Sequence, residues 1–363
     1  MITRAPSSVW PKLLTPAPGC LPPIAELRRT ERVLHVALYP SYDILNSLPR
    51  AFNRIATAYV QVDHMPLAGS PGALYEQMLL EADRIKPTII FMHMQYAADL
   101  DAERMLEVRR KCNPGCVTVQ WDGDMHWPPK SVHRQWFVDL GKIIDASLTA
   151  ETHYQEEYAA LGVKRPGFLA AGCDHEIWQA RVPTPGTPPI VFLASYWPVA
   201  KGPLGDGYQT RVAVATALQQ QYPGQFGLYG AGWQGWECHR APLALMAEAG
   251  TYSAADAAIS ISITNGITRY TSDRLMRMLC SGAVCLVERF PDCEGLGLEH
   301  GVNCLLWSTW EELKAQVDSI LASRGAPRWT AMRTAAAELG KLHTWDARIL
   351  ELLAIVDAVR SSR

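Results

Sequence analysis

The sequence predicts an α/β protein made of two Rossmann-like, doubly wound domains that face each other across a cleft. Length is the first reason, because 363 residues with a hydrophobic content of 48% are enough for two separate cores. The second reason is that strand-length apolar segments alternate with amphipathic helical segments along most of the chain. The third is that a proline-rich stretch, residues 183–189, interrupts this alternation once before it begins again.

This organisation sets the expected domain boundaries. An extended, proline-rich arm is expected over residues 1–30, followed by a first Rossmann-like domain over 31–180. A linker over 181–189 leads to a second Rossmann-like domain over 190–343. The remaining segment, 344–363, is expected to form a helix that packs back on the first domain.

The first domain is predicted from short apolar runs that alternate with helical patterns. The run 88–94 has almost no polar alternation, which is typical of a parallel strand covered by helices on both faces. The predicted order is strand 32–39, helix 46–58, strand 59–65, helix 72–85, strand 88–94, helix 99–111, strand 117–121, strand 143–149 and helix 151–161.

The second domain repeats this pattern. A polar segment that begins at Tyr270 leads into a short helix with an apolar stripe, and Gly282 ends that helix before an apolar strand. The other predicted elements are strand 190–195, helix 208–222, strand 226–229, strand 259–263, strand 302–307 and helices over 309–323, 328–342 and 345–360.

Composition and missing motifs argue against several classes of protein. A formal charge of -2 with a pI near 6.6 argues against a strongly basic nucleic-acid binder. No apolar run approaches a membrane span and the N-terminus has no apolar signal core, so a cytoplasmic protein is expected. The scattered cysteines include no Cys-x-x-Cys pair, which favours reduced, buried thiols. The sequence also lacks a dinucleotide fingerprint, a Walker loop and a nucleophile elbow.

The unit from Tyr270 to Trp310 carries the main functional signal. Its helix is expected to start at the carboxyl edge of a parallel sheet, where backbone N–H groups and the helix dipole favour an anion such as phosphate. Arg274 and Arg277 lie one turn apart at that edge. The alternative is an ordinary αβ unit with two surface arginines.

A second candidate site follows the strand that ends at Trp121. Asp122, Asp124 and His126 cluster there beside tryptophans. Acids two residues apart can bind a divalent metal or supply a general base, and the tryptophans can stack on a sugar or a base. The alternative is an Asp-Gly turn whose acids are solvated.

Two further loops are expected at the carboxyl edge of the second sheet. Ser195 and Tyr196 follow its first strand, and Gly230 and Gly232 follow the next one. Small residues let a backbone approach a ligand closely, although a plain turn explains the glycines equally well.

Several of these stretches, taken in order, match the pattern of a known family. They are Val191–Ser195 with Arg211 on the next helix, Leu228–Trp233, Tyr252 with Asp256, Ser272 with Arg274 and Gly282, His300–Asn303, His343–Trp345 with Arg348 and, in the first half, Trp121–Asp124 and Ala171–Asp174. Over roughly residues 115–350 the chain therefore resembles a GT-B glycosyltransferase, in particular the group similar to the spore-maturation protein CgeB.

The resemblance implies a nucleotide-sugar donor, which we expect to be a UDP-sugar, held mainly by the second domain. It implies an acceptor on the first domain, no tightly bound cofactor and no requirement for a divalent metal. The donor-binding positions that we expect are Ser195, Tyr196, Arg211, Gly230, Gly232, Ser272, Arg274, Arg277 and Glu288.

One of these positions departs from the family pattern. Arg277 stands where related sequences usually carry a glutamate that can bind donor hydroxyl groups, and a cation cannot accept those hydrogen bonds. Either Arg277 adds a phosphate contact, or Asp273 or Glu288 supplies the missing acceptor, or donor binding has been lost.

We therefore expect sugar transfer from a nucleoside diphosphate sugar to an acceptor hydroxyl group. Arg274, Arg277 and the N-terminus of their helix would stabilise the charge of the leaving diphosphate. Asp124 is the first candidate for the general base, ahead of Asp122 and His126. If the transfer retains the anomeric configuration, no such base is needed, and the acids would position the acceptor instead.

Acceptor identity and two rival functions stay open from the sequence. A small molecule, a glycan, a protein or a hydroxylated base of phage-type DNA would each be compatible with the fold. The rivals to a transferase are a non-catalytic binding protein that kept the GT-B fold, and a nucleotide-sugar epimerase or phosphorylase on the same scaffold.

Overall fold

The computed structural model describes residues 30–38, 47–67, 70–94, 100–124, 127–196, 206–240, 242–243 and 245–363. The arm expected over residues 1–30 lies outside these ranges, apart from Thr30. Within them, two parallel β-sheets with helices between their strands confirm the predicted α/β class.

Six strands form the first sheet: β1 (Glu31–Ala37), β2 (Ala56–Asp63), β3 (Ile89–His93), β4 (Val117–Asp122), β5 (Ala146–Thr149) and β6 (Pro166–Phe168). They are parallel and lie in the order β2-β1-β3-β4-β5-β6. Strands β3 and β4 are buried along their whole length, as a sheet covered on both faces requires. Its helices are α1 (Ser47–Ile55), α2 (His64–Leu67), α3 (Ala73–Ile85), α4 (Ala102–Lys111), α5 (Gln135–Gly141) and α6 (Gln155–Ala160).

Five strands form the second sheet: β7 (Ile190–Leu193), β8 (Phe226–Tyr229), β9 (Ala257–Ser260), β10 (Cys285–Glu288) and β11 (Leu305–Trp307). They are also parallel, in the order β11-β10-β9-β7-β8. The remaining helices are α7 (His175–Trp178), α8 (Gly207–Gln221), α9 (Leu245–Ala254), α10 (Asp273–Cys280), α11 (Trp310–Ala322), α12 (Pro327–Leu342) and α13 (Trp345–Ser361).

Five elements were not predicted from the sequence: β6, α2, α5, α7 and α9, and the first two residues of α2 were expected to end the strand 59–65. Strand β6 contains a proline and a glycine, which are depleted from strands, and it is tolerated because it lies at the edge of its sheet. Helix α7 is a single turn. Helix α9 begins with good helix formers, but Gly250 lies at its centre and is followed by the weaker helix formers Thr251, Tyr252 and Ser253. Packing fixes this part of the helix, since a Cβ on Gly250 would lie 2.6 Å from the hydroxyl oxygen of Thr184.

Two chain segments that run side by side connect the halves. The N–H of Cys173 donates to the carbonyl of His343, and the N–H of Trp345 donates to the carbonyl of Cys173, each over 3.0 Å. Helix α13 starts at this point and packs on β4 and α1, where the ring of Trp345 meets Trp121 edge-on at a centroid distance of 5.5 Å. The last helix of the chain therefore completes the core of the first half.

Two further properties of the described residues concern the cysteines and the apolarity of the helices. All cysteines in the described ranges are buried and free. None of the helices in the same ranges combines the length and apolarity that crossing a membrane requires.

Candidate functional site

The carboxyl edges of the two sheets meet through a small set of contacts. The N–H of Thr152, after β5, donates to the carbonyl of Thr268, after β9, over 3.0 Å. An apolar cluster spans the same gap, and its buried members are Ala150, Tyr208, Ile263, Ile267 and Tyr270. The loops after β5 and β9 and the start of α8 therefore share one cleft, as expected when ligands bind at the carboxyl ends of parallel strands.

Arg211 on α8 is the most completely enclosed cation at this edge, with 3% of its surface exposed. Its Nε and Nη2 donate to the carbonyl of Ile261 over 3.0 and 2.9 Å, and its Nη1 donates to the carbonyl of Ser195 over 3.1 Å. These acceptors are neutral backbone oxygens. Burial, followed by the charge of Arg274, lowers the pKa of Arg211 to about 9.

Arg274 on α10 converges on the same carbonyl oxygen. It is 8% exposed, and its Nη1 donates to Ile261 over 3.0 Å. Burial is the largest cause of its lowered pKa. Within the described part of the chain, neither Arg211 nor Arg274 forms an ion pair. Two buried guanidinium groups thus share one carbonyl without a carboxylate, which is costly unless an anion joins them.

The N-terminus of α10 lies at the same edge. Ser272 is its N-cap residue and has extended backbone angles (φ -76°, ψ 155°), yet its side chain makes no capping hydrogen bond. The Oγ of Ser272 is enclosed and has no hydrogen-bond partner among the described residues. An unused hydroxyl group beside a helix N-terminus suits a bound anion.

Arg277, one turn further along α10, forms two ion pairs, whereas Arg274 forms none within the described ranges. The Nη1 of Arg277 pairs with Glu248 of α9 over 3.0 Å, and its Nη2 pairs with Asp273 over 3.2 Å. Its guanidinium also lies over the ring of Trp178 in α7, 5.1 Å from the centroid. Burial lowers its pKa, but the charges of Asp273 and Glu248 outweigh that effect, and the pKa lies above its ordinary value. Arg277 therefore links three helices.

Glu288 ends β10 at the same edge. Its carboxylate accepts a hydrogen bond from the side-chain amide of Asn265. Burial, followed by the charge of Asp206, raises the pKa of Glu288 to about 7, against the opposing effects of Asn265 and Arg211. Near neutral pH this carboxyl group therefore changes charge within electrostatic reach of Arg211.

Gly230 and Gly232 serve the packing of two neighbouring loops. Both have positive φ angles, 126° and 89°. A Cβ on Gly230 would lie 2.3 Å from the carbonyl oxygen of Ala194, and one on Gly232 would lie 1.7 Å from that of Tyr196. The ring of Tyr196 also stacks on Trp233 at a centroid distance of 4.8 Å. From the sequence, these glycines could allow the close approach of a ligand or simply form a turn. In the structure, the backbone that approaches them belongs to the neighbouring loop that contains Ala194 and Tyr196.

The two acids at the end of β4 lie in different environments. Asp122 is 1% exposed and forms a buried ion pair with Arg134, and its Oδ1 accepts from the N–H of Asp124 over 2.9 Å. Asp124 is half-buried, and its charge adds to burial in raising the pKa of Tyr208 in the other half. Asp122 is thus committed to the loop, whereas Asp124 borders the cleft. His126 lies outside the described residues.

Three groups that contact or surround these arginines were not predicted from the sequence: the carbonyl of Ile261, Tyr208 and Glu248. Tyr208 had a usable signal, because it precedes Arg211 by three residues and so shares its face of α8. The other two had none, since Glu248 lies on an unpredicted helix and a shared carbonyl arises only from tertiary packing. The described ranges hold no group of three or more His, Cys, Asp or Glu side chains that could bind a metal ion.

Residues 210–354 match the family model described as glycosyl transferase-like. No curated protein matches the chain. Anabaena HepE in complex with UDP and glucose has a similar fold, with a TM-score of 0.59 at 12% identity over 89% of this chain and 99% of that chain. Sucrose-phosphate synthase from Thermosynechococcus elongatus gives 0.61 at 13% identity over 92% and 100%. A glycosyltransferase from Rickettsia africae gives 0.60 at 9% identity over 91% and 98%.

Proposed function

We propose that this chain, which has the GT-B fold and whose residues 210–354 belong to the glycosyl transferase-like family, transfers a sugar from a nucleoside diphosphate sugar to an acceptor hydroxyl group. The observation that carries the proposal is the pair Arg211 and Arg274, buried against one carbonyl without an ion pair in the described ranges. A diphosphate supplies the missing negative charge. Structures of similar fold contain UDP or UDP-glucose, which supports a UDP-sugar as donor.

The chemistry follows from where charge develops. When the bond between the sugar and the diphosphate breaks, the electron pair stays on the phosphate oxygen, whose negative charge grows. Arg211, Arg274 and the N-terminus of α10 with its unused Ser272 hydroxyl group are donors fixed in an enclosed site, where such contacts are strongest.

The other side chains divide between donor recognition and structure. Arg277 holds α7, α9 and α10 together, so its replacement of the usual glutamate moves hydroxyl recognition elsewhere. Asp273 is paired with Arg277, whereas Glu288 ends β10 within electrostatic reach of Arg211. We assign the acceptor role for donor hydroxyl groups to Glu288.

On the acceptor side we assign Asp124. Asp122 forms a buried ion pair with Arg134, and Asp124 is the acid of this loop that borders the cleft. An Asp124→Asn variant is expected to keep UDP-sugar binding and to lose transfer by about 10²–10⁴-fold if Asp124 is the general base. Unchanged transfer in a folded, donor-binding variant would remove that role.

Isothermal titration calorimetry with UDP and UDP-glucose tests the donor site. Arg211→Gln and Arg274→Gln are each expected to weaken binding by about tenfold or more, since a hydrogen bond to a charged group contributes about 1.5–3 kcal/mol. Arg328→Gln, on the exposed side of α12, is the matched control and should bind as the wild type does. If neither nucleotide binds the wild-type protein, and a wider screen of nucleotide sugars gives no thermal shift, the proposed function fails.

A further inference from the structure

Tyr208 is placed by the backbone beside the buried arginine pair. It lies in the first turn of α8 and is 7% exposed, and its ring lies under Arg211, 5.0 Å from the guanidinium carbon. The preceding residue, Gly207, donates its N–H to the carbonyl of Ile263 over 2.9 Å, and a Cβ there would lie 2.1 Å from the carbonyl oxygen of Ser262. The start of α8 is therefore pinned to the turn that follows β9.

Groups from both halves of the molecule act on this phenol. Ala150, after β5, packs in the same apolar cluster as Tyr208. Burial raises the pKa of Tyr208 and the charge of Asp124 raises it further, while Arg211 and Arg274 lower it. The phenol is thus protonated at neutral pH, and it lies within electrostatic reach of the acid of the acceptor side and of the cations of the donor side.

The hydroxyl group of Tyr208 is unused. It has no hydrogen-bond partner among the described residues, and its oxygen is not one of the enclosed atoms that lack a partner, as the oxygen of Tyr252 is. It therefore reaches the open space of the cleft. By contrast, the hydroxyl groups of Tyr158 and Tyr222 have partners, Arg134 at 3.0 Å and Asp318 at 2.8 Å. A fixed, protonated phenol with a free O–H is a hydrogen-bond donor for a ligand.

We propose that Tyr208 is a further catalytic residue, whose hydroxyl group donates a hydrogen bond to the diphosphate of the donor beside Arg211 and Arg274. The inference rests on the proposed function. When the bond between the sugar and the diphosphate breaks, the electron pair passes to the phosphate oxygen and the hydrogen bond from Tyr208 strengthens. The proton stays on Tyr208 throughout, so no co-reactant is needed. The contact therefore stabilises the departing diphosphate more than the bound donor.

Tyr208→Phe is the test, because it keeps the ring under Arg211 and removes only the hydroxyl group. UDP, whose terminal phosphate carries the full charge of the leaving group, is expected to bind about tenfold more weakly to the variant, as loss of one charge-assisted hydrogen bond predicts. Uridine, which has no phosphate, should bind equally to both proteins. Release of UDP from UDP-glucose should slow by about 10²-fold, as for loss of one oxyanion donor.

The matched control is Tyr222→Phe at the other end of α8, which also loses one hydroxyl group and should keep the UDP affinity of the wild type. Equal UDP affinity in wild type and Tyr208→Phe would overturn the assignment. So would an equal loss of uridine affinity, which would show a general change of the site. If the wild-type protein binds neither UDP nor pyrophosphate, and the wider screen of nucleotide sugars gives no thermal shift, the proposed function fails and this inference fails with it.

Discussion

Buried arginines lie at the carboxyl edge of both sheets, but among the described residues only the arginine at the first edge is paired with a carboxylate. In the first half, Arg134 meets the carboxylate of Asp122, and both side chains are enclosed. In the second half, Arg211 and Arg274 share the carbonyl of Ile261, with no ion pair in the described ranges. The first edge therefore carries its own buried ion pair, whereas we propose that the second takes up the diphosphate of the donor. We propose that burial without an ion pair, rather than burial alone, distinguishes the arginines that bind the donor from those that stabilise the fold.

The largest expected effect on the free energy of unfolding comes from breaking the buried ion pair of Asp122 and Arg134. Arg134→Met leaves the carboxylate of Asp122 buried without its cation and should lower the free energy of unfolding by about 3–5 kcal/mol. Urea denaturation measures this loss. The double variant Asp122→Asn with Arg134→Met is the control and should lose less than the single variant, because no buried charge remains unpaired. A loss below about 1 kcal/mol in the single variant would contradict the account of this edge.

The next largest effect is a loss of stability at acidic pH, which arises from two histidines in the first half. Burial, followed by the charge of a neighbouring histidine, lowers the pKa of His35 and of His93 to about 3. Histidine in the unfolded chain titrates near pH 6.5, so between about pH 6.5 and pH 3 the unfolded chain binds protons that the folded chain does not. The free energy of unfolding therefore falls as the pH drops through this range. Each histidine should cost about 2 kcal/mol between pH 7 and pH 5. Urea denaturation of His35→Phe should show a shallower acid slope than the wild type.

The second half should respond to pH in the opposite direction. The raised pKa of Glu288, about 7 against an ordinary value of 4.5, means that the folded state holds a proton that the unfolded chain has lost. Stability from this group is present below about pH 4.5 and is lost as the pH rises through 7. Glu288→Gln should therefore be more stable than the wild type at pH 8, by about 1 kcal/mol after allowance for its partial exposure, and not at pH 5. Equal stability differences at both pH values would contradict the assignment.

The smallest effect on stability is expected at the second edge. Arg274→Gln removes one hydrogen bond together with a buried, uncompensated charge, and these changes oppose each other. The free energy of unfolding should change by less than about 1 kcal/mol, well below the loss in Arg134→Met. Urea denaturation of the two variants in parallel gives the comparison. A loss of 3 kcal/mol or more in Arg274→Gln would show that this arginine is structural.

The sequence predicted the parallel α/β halves because hydrophobic periodicity, the length of the apolar runs and the turn residues between them together separate buried strands from amphipathic helices. It also indicated Arg211 and Arg274, which lie on long or strongly patterned helices. It could not show that Arg277 is neutralised, because Glu248 lies on a helix that a central glycine interrupts and whose position depends on packing. Nor could it separate Asp122 from Asp124, since the cation that consumes Asp122 comes from a segment without a clear periodic pattern.

A crystal structure of the protein with UDP would show directly which arginines bind the diphosphate. We expect the diphosphate within hydrogen-bonding distance of both Arg211 and Arg274, at the N-terminus of α10, with Arg277 still paired to Glu248 and Asp273. A diphosphate bound to Arg277 instead, with Arg211 and Arg274 contacting only the carbonyl of Ile261, would contradict this expectation.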